Sequence, residues 1–302
     1  MNRSATEHFG GTGNPAKLWD YVDLALLRAA KRNRARLSGP EGTQKFYGSF
    51  FTREDIALLH SRKDRRREAR AETLRSAVRE LLAGGGRLLD VGCGVGDNLA
   101  ELGGLGIVLR GLEYAEQSAR VARTALGDSA EVMVGSATAI PLSDTTTDVV
   151  VCLEVLEHIH DHEGALREIG RVLKPHGHLV ISVPYRHWFP VYEPLMGHLR
   201  HYTRDDLEGL LARHGYRIVR YLPNYPGWSR WADYVYVLCR ALERVAARFG
   251  WVRSAAEITL PGLSRPLAEI LLDRLDWLKR READLPYPML GTSTFVVAER
   301  SG

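Results

Sequence analysis

Between residues 87 and 222 short apolar runs alternate with stretches whose apolar positions recur at helical spacing. The runs at 87–91, 107–113, 131–134, 148–153, 178–183 and 216–222 predict strands. Between them, 115–126 and 161–174 predict helices, the second with Leu166, Ile169, Val172 and Leu173 on one side before Pro175 and Gly177 end it. Thr203, followed three positions later by Asp206, predicts a capping box that opens a helix through Leu211. The run from Asp148 to Leu153 is apolar without alternation after its first residue, as expected of a strand covered by helices on both faces. Strand and helix in turn predict an α/β fold around a mostly parallel sheet.

The flanks read differently. Residues 1–14 are polar and glycine-rich and predict a disordered tail. A helix is expected from Pro15, with Leu18, Val22, Ala25, Leu26 and Ala29 on one face, broken at Gly39-Pro40. A second helical stretch over 53–83 carries Leu74, Ala77, Val78, Leu81 and Leu82 and stops at Gly84-Gly85-Gly86. Residues 15–83 are therefore expected to form an N-terminal helical extension, with the core at 84–222 and 292–302. The last strand, 293–299, follows an intervening helical segment, 223–291, striped at Trp231, Tyr234, Val235, Leu238 and again at Leu267, Ile270, Leu271, Leu275. Such an insertion before the last strand would sit at the strand ends as a cap.

Composition narrows the function classes. A chain of 302 residues with 45% hydrophobic residues can bury a substantial core, and a net charge of +4 makes no case for a nucleic-acid protein, with DNA excluded as a partner and RNA not expected. The run Arg62 to Arg67 reads as a solvated helix face, the alternative being a patch that steers an acidic substrate or RNA. Cys93, Cys152 and Cys239 have neither disulfide-framework nor zinc spacing, which points to a reducing, cytoplasmic setting. The N-terminal stretch lacks a signal-peptide core, and no apolar segment has the length of a membrane span, so a soluble monomer or homodimer is expected.

Residues 88–98, Leu-Leu-Asp-Val-Gly-Cys-Gly-Val-Gly-Asp-Asn, carry the chemistry. Gly92, Gly94 and Gly96 at every second position let a strand-to-helix turn lie flush against an extended ligand. Asp90 ahead of them implies a cationic group on that ligand, because a phosphate site would avoid a carboxylate there. Glu113 ends the second strand about 20 residues further on, where an acid meets ribose hydroxyls. The glycine spacing does not match the Gly-x-Gly-x-x-Gly of a dinucleotide site.

Taken with the downstream elements, residues 88–98 resemble the first motif of the class I S-adenosylmethionine-dependent methyltransferases, and the similarity continues through about residue 220. The resemblance implies a seven-stranded Rossmann-like sheet whose last two strands are antiparallel. It implies an S-adenosyl-L-methionine pocket formed by Asp90, Gly92, Cys93, Gly94, Glu113, Tyr114, Leu153 and Glu154, with Ser136 and Ala137 where the family often has Gly-Asp-Ala. Residues 153–161, Leu-Glu-Val-Leu-Glu-His-Ile-His-Asp, resemble the Glu-Val-Leu-Glu-His stretch of ubiquinone-biosynthesis O-methyltransferases. They also resemble the Glu-x-x-Glu-His of small-RNA 2′-O-methyltransferases. His158, Glu157 and His198 are the implied catalytic residues. In a magnesium-dependent version Glu154, Glu157, His158 and His198 would be the ligands, with His201 as the other choice for the last. In a metal-free version His158 would act as general base. The implied acceptor is a small molecule, an aromatic or glycosylated metabolite, with Trp188, Phe189 and Tyr192 bordering it. The alternatives are a metal-dependent RNA methyltransferase, a non-catalytic cofactor-binding subunit, and other chemistry on the same cofactor.

Overall fold

A computed structural model describes residue 39 and residues 65–184, 197–222 and 293–302. The expected tail, the helix from Pro15, the 53–64 stretch, the segment with Trp188, Phe189 and Tyr192, and the 223–291 insertion with Cys239 lie outside the described residues.

Seven strands form one sheet: β1 (Arg87–Val91), β2 (Val108–Glu113), β3 (Glu131–Val134), β4 (Thr147–Leu153), β5 (Leu173–Pro184), β6 (Tyr216–Tyr221) and β7 (Ser293–Arg300). Their order is β3-β2-β1-β4-β5-β7-β6. β1 to β5 pair in parallel, and β7 runs antiparallel between β5 and β6. The helices are α1 (Arg65–Leu81), α2 (Asp97–Leu102), α3 (Glu116–Leu126), α4 (His162–Val172) and α5 (Arg204–Arg213), with a 3-10 turn at Leu156–His158. No described helix is long and apolar enough to cross a membrane.

The unbroken apolar run of β4 is explained by two covered faces. Val149, Val151 and Leu153 pack with Leu74 and Val78 of α1, Leu99 of α2 and Ala122 of α3. Val150 and Cys152 point the other way, into a cluster with Leu166 and Ile169 of α4 and Leu207 and Leu211 of α5. Alternation of strand side chains thus feeds two cores from one strand.

Side chains pin the helices at the ends that matter. Arg75 of α1 donates to the carbonyls of Glu101 and Gly103, the latter at 3.1 Å, and ties α1 to the end of α2. Arg171 of α4 reaches the carbonyls of Ile140 and Leu142 at 2.9 and 2.8 Å and so fixes the loop leading into β4. Thr203 accepts from the Asp206 N–H at 3.1 Å while the Asp206 carboxylate accepts from the Thr203 N–H at 2.9 Å. That is the capping box expected from the sequence.

One boundary differs from the sequence expectation. Helix α4 ends at Val172, and β5 begins at Leu173 instead of 178. Leu173 turns extended and pairs with Thr147, after which the register jumps to Val149 with His178. The intervening residues bulge from the ladder, with His176 at φ 62°. A Cβ on Gly177 would sit 2.9 Å from the Lys174 carbonyl oxygen, so the bulge requires glycine there. Pro175 and Gly177 shape the strand's start and do not stand between two elements.

Replacing Thr203 by Ala removes one half of the reciprocal cap on α5. Denaturant unfolding is expected to show a loss of about 1 kcal/mol, with an unchanged slope.

Candidate active site

The strand order reverses between β1, which pairs with β2 on one side, and β4 on the other. In open α/β sheets a crevice lies beyond the carboxyl ends of the strands at such a point. The residues singled out from the sequence fall on five segments: the end of β1 with the turn after it, the end of β2, the turn after β3, the segment after β4, and residues 197–203 beside the end of β5.

The β1 turn is built from both sides. The N–H groups of Gly92 and Cys93 donate to the Leu112 carbonyl at 2.7 and 3.1 Å, and Gly94 N–H donates to Glu113 Oε2 at 2.9 Å. Gly92 has φ 72°, and a Cβ there would meet Val155 Cγ2 at 2.5 Å. The turn after β1 and the segment after β4 can approach this closely only because that side chain is missing. Gly94, with φ 57°, faces open space. Cys93 buries its thiol in the core, with Sγ 2.7 Å from the place a Gly111 Cβ would take, so only its backbone borders the turn.

Asp90 is 1% exposed. Its Oδ2 accepts a long hydrogen bond from Asn98 Nδ2 at 3.4 Å, and its buried Oδ1 has no hydrogen-bond partner among the described residues. Burial raises its pKa to about 7; the Asn98 hydrogen bond and the Arg70 charge pull against that rise, and Glu113 adds to it. A carboxylate in this position lacks a cation. Glu113 accepts from the N–H groups of Gly94 and Ala115, at 2.9 and 2.8 Å, with one oxygen each. Burial raises its pKa, against those backbone bonds. Each oxygen keeps a further lone pair, enough to receive a pair of hydroxyls. Tyr114 lies half-buried beside it. The orphaned Asp90 oxygen, the open face at Gly94 and the lone pairs of Glu113 therefore suit a ligand with a cation at one end and vicinal hydroxyls further along.

Ser136 spends its hydroxyl locally, 2.8 Å from Thr138 Oγ1 and 3.2 Å from the Thr138 N–H, in a tight turn that leaves Ala137 partly buried. Leu153 is buried in the core at the end of β4. Glu154, the next residue, holds φ 56°, uncommon for a side chain with a Cβ. Its N–H donates to the Ser182 carbonyl at 3.0 Å, and its Oε1 accepts from Ser182 Oγ at 2.7 Å. β5 thus holds the strained residue in place.

Glu157, His158 and His198 come together, with one ligand-type atom from each lying within 4.8 Å of the others. Glu154 is not among them. Glu157 is completely buried, and neither carboxyl oxygen has a hydrogen-bond partner among the described residues. Burial first, then the charge of Glu154, pushes its pKa well up, which favours the protonated form. Its main chain fixes the opposite segment, since the Leu199 N–H donates to the Glu157 carbonyl at 2.8 Å. His158 Nδ1 lies 3.3 Å from the Gly197 carbonyl, which makes that nitrogen the donor and leaves the lone pair on Nε2. Nε2 is 3.7 Å from Glu157 Oε1. Burial lowers the His158 pKa to about 4, so the ring is neutral at pH 7. The His198 ring stands edge-on to His158, with centroids 4.7 Å apart.

The expected magnesium site does not match this donor set. Magnesium favours oxygen ligands, whereas the cluster offers one carboxyl and two imidazoles, and Glu154, outside the cluster, gives one of its oxygens to Ser182.

Arg70 was not singled out from the sequence. Its charge acts on both Asp90 and Glu157, which places it beside the cleft. The signal was present: Arg70 stands at helical spacing from Leu74, Ala77, Val78 and Leu81, a cation on an otherwise apolar stripe.

Comparison with known proteins supports the same family. A family model described as a methyltransferase domain matches residues 61–221. The O-methyltransferase cnsE of Penicillium expansum is 29% identical over 47% of this chain and 56% of its own length. A ubiquinone biosynthesis O-methyltransferase of Alkalilimnicola ehrlichii is 36% identical over 32% of this chain and 41% of its own. The chain thus spans about half the length of the curated relatives it matches. Among solved structures the (4+2)-cyclase SpnF has the same fold, with a TM-score of 0.50 at 21% identity over 76% of this chain and 80% of its own. The family match covers more than half of the chain, the sheet has the seven-stranded order, and the glycine turn stands at its switch point: the chain belongs to the class I S-adenosylmethionine-dependent methyltransferases.

Proposed function

We propose that the protein transfers the methyl group of S-adenosyl-L-methionine to an oxygen or nitrogen atom of a small molecule. The observation that carries this reading is the pairing of Asp90, buried with an orphaned oxygen, with Glu113 across an open glycine turn. In this reading Asp90 answers the ammonium of the cofactor's amino-acid end and Arg70 its carboxylate. Glu113 takes the ribose hydroxyls, and the adenine lies against Tyr114 and the turn at Ser136 and Ala137. When bound, the cofactor supplies a methyl group on a positively charged sulfur.

The chain's own residues need do little covalent work. They hold the acceptor in line and keep water out. His158 presents a neutral Nε2 lone pair beyond the end of β4, ready to take a proton from the acceptor. A pKa of about 4 makes this imidazole a weak base at rest. That suffices, because an acceptor atom becomes far more acidic as it gains a methyl group. The charge arriving on His158 lies 3.7 Å from the Glu157 carboxyl. Phenols and amines suit such a base better than sugar hydroxyls, whose pKa lies far higher. The names of the two relatives reported above, both O-methyltransferases, support oxygen as an accepting atom, and the acceptor class in this reading is an aromatic or glycosylated metabolite. No step of this reading passes through a metal ion. The buried free thiols of Cys93 and Cys152 suit a reducing, cytoplasmic compartment.

Cofactor binding should be linked to a proton on Asp90. With its pKa raised to about 7, the free carboxyl is largely protonated at pH 6, and a cation beside it favours the charged form. Binding of S-adenosylmethionine at pH 6 should therefore release a proton, and affinity should rise with pH and level off above 7. Calorimetry in two buffers of different ionisation heat measures the release. Asp90→Asn should abolish it and weaken binding by about 1.5–3 kcal/mol; a wild-type titration with no buffer dependence would count against the role of Asp90.

Transfer itself is read with methyl-labelled cofactor and a panel of phenols, amines and glycosides. His158→Gln should lower kcat by about a hundredfold and leave cofactor affinity unchanged. Arg70→Ala should do the reverse, weakening cofactor affinity with little effect on saturated turnover. If label passes to no member of the panel while the cofactor binds, the catalytic reading is lost and a binding role takes its place.

A further inference from the structure

Beyond the strand ends, residues 157–162 and residues 197–202 are joined by contacts spaced along both segments. Nearest the cleft, His158 Nδ1 meets the Gly197 carbonyl at 3.3 Å, and the Leu199 N–H donates to the Glu157 carbonyl at 2.8 Å. Further out, Arg200 donates from one terminal nitrogen to the His160 carbonyl at 3.0 Å and from the other to His162 Nδ1. The Tyr202 hydroxyl meets the same imidazole nitrogen at 2.9 Å, and the Tyr202 N–H donates to the Pro184 carbonyl at 3.2 Å. The inner contacts fix His158. The outer ones lie at the first turn of α4 and close the far end of the same zipper.

A guanidinium carries donors only, so the nitrogen it meets must hold the lone pair, and the His162 hydrogen sits on Nε2. Arg200 and the Tyr202 hydroxyl share that lone pair. A second proton on the ring would set N–H against N–H and cation against cation, so the contact requires a neutral His162. Burial first, then the Arg200 charge, lowers the His162 pKa, with His214 on the same side and Glu163 and Asp161 pulling against them. Two groups at the end of α5 face Glu163 in turn: Arg213 at 3.5 Å and His214 Nε2 at 3.8 Å. A cavity of about 350 Å³, lined also by Asp205, Asp206 and Arg213, opens beside His162 and Arg200 and gives solvent protons a way to the ring.

We propose that Arg200 is a positioning residue: clasped to neutral His162 and to the His160 carbonyl, it keeps residues 197–199 against residues 157–158 and so holds the His158 ring where it takes the acceptor's proton. This deepens the proposed methyl transfer and rests on that reading. When the clasp opens, the Leu199 rung loosens and the Gly197 carbonyl no longer fixes His158 Nδ1, so the Nε2 lone pair loses its aim. Asp90 and Glu113 belong to β1 and β2, outside both segments, and the cofactor's hold does not depend on the clasp. A proton dependence follows from the same geometry. The clasp is closed while His162 is neutral and opens as pH falls through the ring's pKa, which lies below the ordinary 6.5.

The test uses the full chain and hydrogen exchange resolved to single amides, with each rate expressed as protection relative to the intrinsic rate at that pH. At pH 7.5 Arg200→Ala should lower the protection of the Leu199 and Tyr202 amides by about tenfold, while β1 and β4 keep theirs. His162→Leu, which offers no acceptor, should do the same. His162→Gln offers an amide oxygen that accepts at any pH and should keep the wild-type protection. Between pH 7.5 and pH of about 5 the wild type should lose protection at these amides and His162→Gln should not. Turnover at saturating cofactor should track the clasp, falling about tenfold in Arg200→Ala and His162→Leu and holding in His162→Gln, with KM for the cofactor unchanged. Unaltered Leu199 protection in Arg200→Ala overturns the proposal. An equal acid loss in the wild type and His162→Gln overturns it too, and that comparison needs no Arg200 variant to fold. Turnover that ignores a loosened segment removes the positioning role. If protection responds as expected but no form methylates any acceptor, the clasp stands and the methyl-transfer reading is what fails.

Discussion

A carboxylate held out of water at the end of the central strand sets the terms for everything around it. Asp90 sits in β1 between Leu89 and Val91, whose side chains enter the core, and it has one long hydrogen bond to offset its burial. Such a group either keeps its proton or finds a cation. The sheet accepts the cost because β1 stands between β2 and β4, where the strand order reverses. The glycines that follow are part of the same constraint. Gly92 lets the segment after β4 come close, and Gly94 keeps the space beyond Asp90 open. The unmet charge and the room for its partner are therefore products of one short turn.

The second carboxylate works differently. Glu113 is braced by the backbone of the glycine turn and of the residues after β2, so it holds the turn's shape before any ligand arrives. It is a structural member and, in the proposed function, a binding group as well. Substituting it would confound the two roles, whereas Asp90 supports no backbone hydrogen bond in the described structure and isolates the binding role.

Much of this was legible in the chain itself. Periodicity located the seven strands, because strands covered on both faces leave unbroken apolar runs such as 149–153. The capping box at Thr203 and the glycine turn could be read from local chemistry alone. The ends of α4 and β5 could not: Leu173 continues the helical stripe, and only its pairing with Thr147 assigns it to the sheet. The site was legible as a set of residues but not as an arrangement. A run such as Glu-Val-Leu-Glu-His does not reveal that the first acid is taken by Ser182, 28 positions later, while the second is sealed in the core. Counting back from the helix-opening Thr203 ranks His198 ahead of His201, but only the structure shows His198 in the cluster and the His201 ring buried beside it.

The same sheet supports a (4+2)-cyclase, so the fold by itself decides no reaction. What distinguishes this chain lies beyond β4 and β5. There a buried carboxyl and two imidazoles, one of them the neutral His158, held by the main chain of Gly197 and Leu199, stand in place of the hard anionic cage that a magnesium ion would need. Neutral groups suit chemistry on a cationic donor. An anionic site beside the sulfonium would stabilise the charged reactant, whereas methyl transfer to a neutral acceptor moves that positive charge towards the acceptor side. A base that is neutral at rest and becomes charged only as the proton arrives follows the charge and does not oppose its movement. In the proposed function, the burial that pushes the Glu157 pKa up and the His158 pKa down is the feature that fits this cleft to such a reaction.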